Sequence, residues 1–177
     1  MLKSFYFLIS FLITVPAIAQ KNEVIGGKLN GVIPLDADGQ PTYQITKTVE
    51  GISKDELFKR ARKWFAKTYN SSKDVLQVND PSTGELIGKG IMATKAKINR
   101  INWNNDVDHT LAVEVKDGRY RITLNGLRLG NARLTDYKLP YIATTRNHYT
   151  ALYSAVDQKC LDIITSLEKA LATTDDF

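Results

Sequence analysis

The stretch SKDELFKRARKWFAKTYN, Ser53 to Asn70, decides the fold. Ser53 followed three residues later by Glu56 is a capping box, whose two side chains can satisfy backbone N–H groups that a helix start leaves unpaired. Leu57, Phe58, Ala61, Trp64, Phe65 and Tyr69 then recur at three- and four-residue spacing and fall in one stripe of a helical wheel. Burying six such side chains is worth about 9–15 kcal/mol gross before chain entropy opposes it, so this helix needs a partner layer. The other face carries Lys59, Arg60, Arg62, Lys63 and Lys67. Asp55 precedes Lys59 by four residues and Glu56 precedes Arg60 by four, the favourable order for helix ion pairs. This pattern reads as a solvated face ahead of an anion- or nucleic-acid-binding one.

Outward from the helix the hydrophobic period changes to two. Before it, Thr42 to Glu50 alternates, with Tyr43, Ile45 and Val49 on one side and Gln44, Thr46, Thr48 and Glu50 on the other. After it come a short strand at Asp74–Asn79, a turn at Asp80–Gly84 and an antiparallel mate at Glu85–Ala93. Gly88 and Gly90 share the face of Leu86 and Met92, where missing side chains make room for something bulky; Trp64 is the expected ring. The run KAKINRINW extends this strand or leaves it, and Asn102–Asp106 reads as a loop. His109–Lys116 and Arg119–Leu124 form a hairpin about Asp117-Gly118, a type I′ signal. Leu127 and Leu129 are out of phase with Leu124, so a bulge is expected near Gly126. Gly130–Asn147 is a long connection. His148–Thr173 carries Tyr149, Leu152, Tyr153, Val156, Cys160, Ile163, Ile164, Leu167 and Leu171 on one stripe, a second long helix. The order strand, helix, four strands, helix, with one apolar sheet face, predicts an α+β two-layer sandwich: an antiparallel sheet with both helices on one side.

The N-terminal 19 residues stand apart. Lys3, the apolar run Phe5–Val15 and Ala17-Ile18-Ala19 make the three parts of a secretory signal peptide, with cleavage expected between Ala19 and Gln20. The apolar run is too short to span a bilayer. The expected product is exported, periplasmic or secreted, with no transmembrane segment. Residues 20–41 read as leader and turn, and 42–173 as a single α+β domain. The chain carries 24 Lys and Arg against 19 Asp and Glu, a net charge of +5; losing the leader removes one lysine and leaves +4. That mild, interspersed charge does not by itself imply a nucleic-acid partner. Cys160 is the sole cysteine, so no internal disulfide forms.

Three segments resemble a known family: LDADGQPTYQITKTVEGISKDELFKRARKWF from Leu35, KDVLQVNDPSTGELIGKGI from Lys73 and LAVEVKDGRYRITL from Leu111. As a set, from Leu35 to Leu124, they are similar to the exported bacterial "domain of unknown function 4468", with a fold like that of the TATA-box-binding protein. The resemblance implies a TBP-like arrangement of the sandwich. It carries over no catalytic residue. Lys95–Asp108 and Gly130–Asn147 match it least.

Chemistry-bearing residues are sparse. Asp36-x-Asp38-Gly39 lacks the other ligands of a calcium loop and reads as a turn. Asp106, Asp108 and His109 match no metal-ligand spacing and read as a strand-entry turn. Cys160 lies on an apolar stripe, a buried thiol. No nucleophile elbow, P-loop, dinucleotide fingerprint or zinc-protease motif is present. The sequence implies no cofactor and no metal, leaves enzymatic activity open and leans against it. The leading reading is a non-catalytic module of the cell envelope that binds an envelope protein or small ligand through the open sheet face, where Lys89, Glu114, Arg119, Arg121 and Thr123 are expected. A hydrolase with an unrecognised site is the alternative. Nucleic-acid binding through the sheet face ranks last, because export argues against it and that face reads as polar.

Overall fold

Helix α1 spans Lys54–Thr68, and Ser53 caps it as its sequence requires, its side chain accepting from the Glu56 N–H at 3.3 Å. Leu57, Phe58, Ala61, Trp64 and Phe65 are buried on one side. In the computed structural model the described residues are 22–69, 75–98, 100–139 and 145–173. The expected signal peptide, its cleavage site and residues 140–144 of the long connection lie outside them.

The strands are β1 Val24–Ile25, β2 Lys28–Leu29, β3 Ile33–Pro34, β4 Tyr43–Thr48, β5 Leu76–Asp80, β6 Glu85–Ile98, β7 Ile101–Lys116, β8 Arg119–Leu129 and β9 Ala132–Arg133. A 3-10 turn at Leu134–Asp136 follows, and helix α2 runs over Arg146–Ala172, about 40 Å at 1.5 Å per residue. The main sheet is antiparallel, in the order β4-β8-β7-β6-β5, with β9 added to β8. Both helices cover one face of it. The space left by Gly88 is filled by Phe65 of α1. Tyr43 on β4 donates to Asp157 of α2 at 2.6 Å, and Lys47 pairs with Glu168 of the same helix. The core between the layers gathers Leu86, Leu111, Val113, Ile122 and Leu124 from the sheet with Phe65, Tyr153, Val156 and Leu167 from the helices. The helices are joined by Trp64 Nε1 donating to Ser166 Oγ at 3.0 Å. The α+β two-layer sandwich read from the sequence is the observed one.

Several details differ, each for a physical reason. The stretch read as leader and turn folds into the small sheet β1-β2-β3, whose Leu29 and Ile33 join the core. Its strands are two residues long, too short to show a period. Asn102–Asp106, read as a loop, is strand. Each residue pairs across to β6, from Asn102↔Lys97 to Asp106↔Ala93. Asn102, Asn104 and Asp106 point to water while Trp103 and Asn105 are half-buried, so ladder pairing overrides the low strand preference of Asn and Asp. The Asp117-Gly118 turn is not type I′, because Gly118 has φ +69° while Asp117 does not share the positive φ that this turn needs at both positions. Asp117 is held elsewhere: its Oδ1 accepts from the Lys54 N–H at 2.7 Å, a second cap on α1. Arg60 does not belong to a solvated face. It pairs with Glu56 at 2.8 Å and donates to the Leu171 carbonyl at 2.9 Å, meeting the C-terminal end of α2. The bulge near Gly126 is present: β7–β8 pairing slips between Asp108 and Thr110, opposite Gly126 at φ +66°.

Candidate functional site

The alternation that builds the core on one side of the sheet fixes what stands on the other. On β8, Tyr120, Ile122 and Leu124 are buried toward the helices, so Arg119, Arg121 and Thr123 face away. On β7, Leu111, Val113 and Val115 are buried, so Thr110, Ala112, Glu114 and Lys116 face away. Strand register then lines these residues up in rungs. Thr48, Arg119 and Lys116 form one; Thr46, Arg121, Glu114 and Glu85 the next; Gln44, Thr123, Ala112 and Ile87 the third. Arg121 Nη1 lies 3.5 Å from Glu114 Oε1, with both side chains about half exposed. Such a pair contributes less than about 1 kcal/mol. Gln44 Nε2 donates to Thr123 Oγ1 at 3.3 Å.

Arg119 differs from its neighbour. Its direct cross-strand partner is Lys116, a like charge, which is unfavourable in that position. The nearest acid in sequence, Asp117, is engaged by the start of α1. Among the described residues neither the Arg119 nor the Lys116 side chain has a hydrogen-bond or ion-pair partner. A shallow hollow of about 100 Å³ lies here, lined by Thr46, Glu114, Lys116, Arg119, Tyr120 and Arg121.

All five residues expected on the open face are there, and the structure brings three of them together: Arg119, Arg121 and Glu114 line the hollow, while Thr123 stands one rung along. Lys89 lies apart, opposite Thr110, at a second hollow of about 440 Å³ with Ile91, Asp108, Gly126 and Arg128. Thr46 and Lys116 were missed as site members. Their strands were legible, but the pairing of β4 with β8 joins segments far apart in the chain, and only that pairing places Thr46 beside Arg121.

The remaining chemical candidates do not converge. His109 sits within β7, not in a strand-entry turn, and it is 2% exposed on the helix side, while Asp106 and Asp108 belong to the open side. Its Nε2 is 2.8 Å from Tyr69 Oη. Burial pushes its pKa below the ordinary histidine value, against the pull of the Val107 carbonyl and the Asp108 carboxylate. Cys160 is fully buried, and burial pushes its thiol up to about 12. A thiol held protonated is a poor nucleophile. Asp36 closes its own turn, Oδ1 accepting from the Asp38 and Gln40 N–H groups and Oδ2 from the Thr42 hydroxyl. Those bonds hold its carboxyl below the usual range. Among the described residues no three His, Cys, Asp or Glu side chains gather as a metal site, and no helix is long and apolar enough to cross a membrane.

Comparison with known proteins agrees with this architecture. Residues 43–129 match the family described as "Domain of unknown function (DUF4468) with TBP-like fold". A DUF4468 family protein from Bacteroides ovatus ATCC 8483 superposes with a TM-score of 0.63 at 16% identity, covering 83% of this chain and 94% of that one. A TBP-like protein from Parabacteroides distasonis ATCC 8503 gives 0.53 at 15%, covering 77% and 97%. At such identities the likeness is one of fold. No curated protein matches the sequence.

Proposed function

We propose that this chain, which resembles the domain of unknown function 4468 family over residues 43–129, is an exported, non-catalytic recognition domain of the cell envelope. It would hold a protein or a ligand on the uncovered face of its sheet. The observation that carries this reading is the state of that face. Both helices lie on the other side, and the open side presents Arg119 and Lys116 without a structural partner among the described residues. Arginine makes directed, bidentate contacts and is enriched at interface hot spots. Export is supported by the three-part leader of residues 1–19. The non-catalytic part is supported by the scatter of reactive groups: a protonated thiol, a buried imidazole bonded to a tyrosine, and carboxylates engaged in turns.

Two measurements test it. Cell fractionation with intact-mass analysis should find the chain outside the cytoplasm, beginning at Gln20. A full-length cytoplasmic product sinks the export half. Envelope proteins captured on the wild-type chain should be lost with Arg121→Ala and kept with Lys59→Ala, a change on the outer face of α1. Arg121→Ala should alter stability by less than about 0.5 kcal/mol, as exposed substitutions do. Equal capture by both variants would remove the sheet face from the proposal.

A further inference from the structure

We infer that the occupant of this face is an extended acidic segment of a partner protein, laid along β8 with alternate carboxylates on Arg119 and Arg121. The inference rests on the recognition reading above and gives it a chemistry. Charge is the first support. Lys116 and Arg119 oppose each other directly across the β7–β8 pair, and Asp117 is drawn away to the α1 N-terminus. The next rung shows the ordinary solution, an arginine opposite a glutamate. An anion between Lys116 and Arg119 relieves the repulsion of two like charges directly opposite each other.

Spacing is the second support. Arg119 and Arg121 stand two residues apart on one strand, about 6.7 Å. Any extended chain repeats its same-side side chains at that interval, so acid–x–acid meets both arginines at once. Thr48 and Thr46 lie directly across from them on β4. Each carboxylate therefore finds a guanidinium on one strand and a hydroxyl on the next. Glu114 competes for Arg121 at 3.5 Å, which makes Arg119 the stronger anchor.

Shape is the third. The hollow of about 100 Å³ admits a carboxylate, given that a water occupies roughly 30 Å³. Pockets that enclose a small molecule run to about 300–1,000 Å³. A surface of this kind suits a chain lying across it.

The test uses the purified chain, nitrogen-15 labelled, and two pentapeptide probes of equal charge. One carries glutamate at alternate positions; the other carries glutamates at positions 1, 2 and 5 with serines between, so that no two of its acids stand two residues apart. At low salt the alternating peptide should give saturable amide shifts confined to 46–48 and 116–121, and should bind more tightly than the control peptide. Arg119→Ala should weaken it about threefold to fivefold, the size of one lost exposed charge pair. Glu114→Gln should tighten it, and Lys97→Ala, on the far arm of β6, should leave it unchanged. Binding should weaken at physiological salt. The inference is overturned if neither peptide gives saturable shifts, if Arg119→Ala binds as the wild type does, or if pyrophosphate or duplex DNA produces the same shifts at lower concentration. Should the peptides fail while Arg121→Ala still loses its envelope partner, the acidic chemistry is wrong and the recognition reading stands. If Arg121→Ala keeps that partner as well, both fall.

Discussion

Gly88→Ala puts the packing of helix on sheet to a quantitative test. Gly88 lies on β6 opposite Leu111, on the face covered by α1. A Cβ there would sit 2.6 Å from Phe65 Cε1 and 3.1 Å from Val75 Cγ1. The Phe65 ring has nowhere to go. It is fully buried, stacked on Tyr69 with centroids 5.8 Å apart and edge-on to Trp64 at 5.4 Å. Two effects oppose each other. Alanine is better than glycine inside a strand by about 0.5–1 kcal/mol. Overpacking a filled core costs about 1–3 kcal/mol. The second wins, and Gly88→Ala should lose about 1–2 kcal/mol, or roughly 3–6 °C in melting temperature. Urea unfolding of Gly88→Ala, Phe65→Leu and the double variant isolates the cause. Removing the ring relieves the clash, so the double variant should be more stable than the sum of the singles by about 1 kcal/mol or more. A Gly88→Ala protein as stable as wild type, or a strictly additive double variant, would refute the account of why glycine stands there.

Trp64→Ala should destabilise by about 3–5 kcal/mol in denaturant unfolding, since a large buried ring and its bond to Ser166 are both lost. Asp117→Ala should cost about 1 kcal/mol through the lost cap on the Lys54 N–H, and Asp117→Asn less, by the same assay. Cys160 should react slowly with thiol reagents in the folded chain and fast in denaturant, because its thiol is buried and its pKa is pushed up to about 12. His109 gives a pH dependence. Its folded pKa lies below the unfolded value of about 6.5, so the unfolded chain binds the proton more readily. Stability should therefore fall as pH drops below about 6.5 and level off once the folded histidine also titrates. His109→Gln should flatten that slope, while the loss at still lower pH from Asp36 and Asp80, whose carboxyls are held down by turn hydrogen bonds, should remain.

The elements legible in the sequence were those whose signal is local. A capping box and an apolar stripe gave α1 almost to the residue, and the phase slip at Leu127 gave the bulge at Gly126. The paired glycines announced bulky rings, but the wrong one: Phe65 fills Gly88 and Tyr69 meets Gly90, because helix crossing angle, which periodicity does not encode, decides which ring lands where. Asp117 misled for a related reason. Its dipeptide carries a strong local preference, and a distant helix end, reaching it at 2.7 Å, set the turn geometry instead. The two-residue strands before Tyr43 had no period to read.

The candidate site divides along the same line. Which side chains face away from the core follows from period two, and Lys89, Glu114, Arg119, Arg121 and Thr123 all do. Which of them stand together depends on the register between strands, and β4 and β8 pair although they are far apart in the chain. Register moved Lys89 to another hollow and brought Thr46 to Arg121. The two-residue turn sets Lys116 opposite Arg119, and the structure adds that the aspartate between them is turned toward α1. A folding requirement accounts for the aspartate, since it caps a helix. Among the described residues none accounts for the two cations placed face to face, and side chains that a fold tolerates at a cost are where a partner's contribution is to be sought.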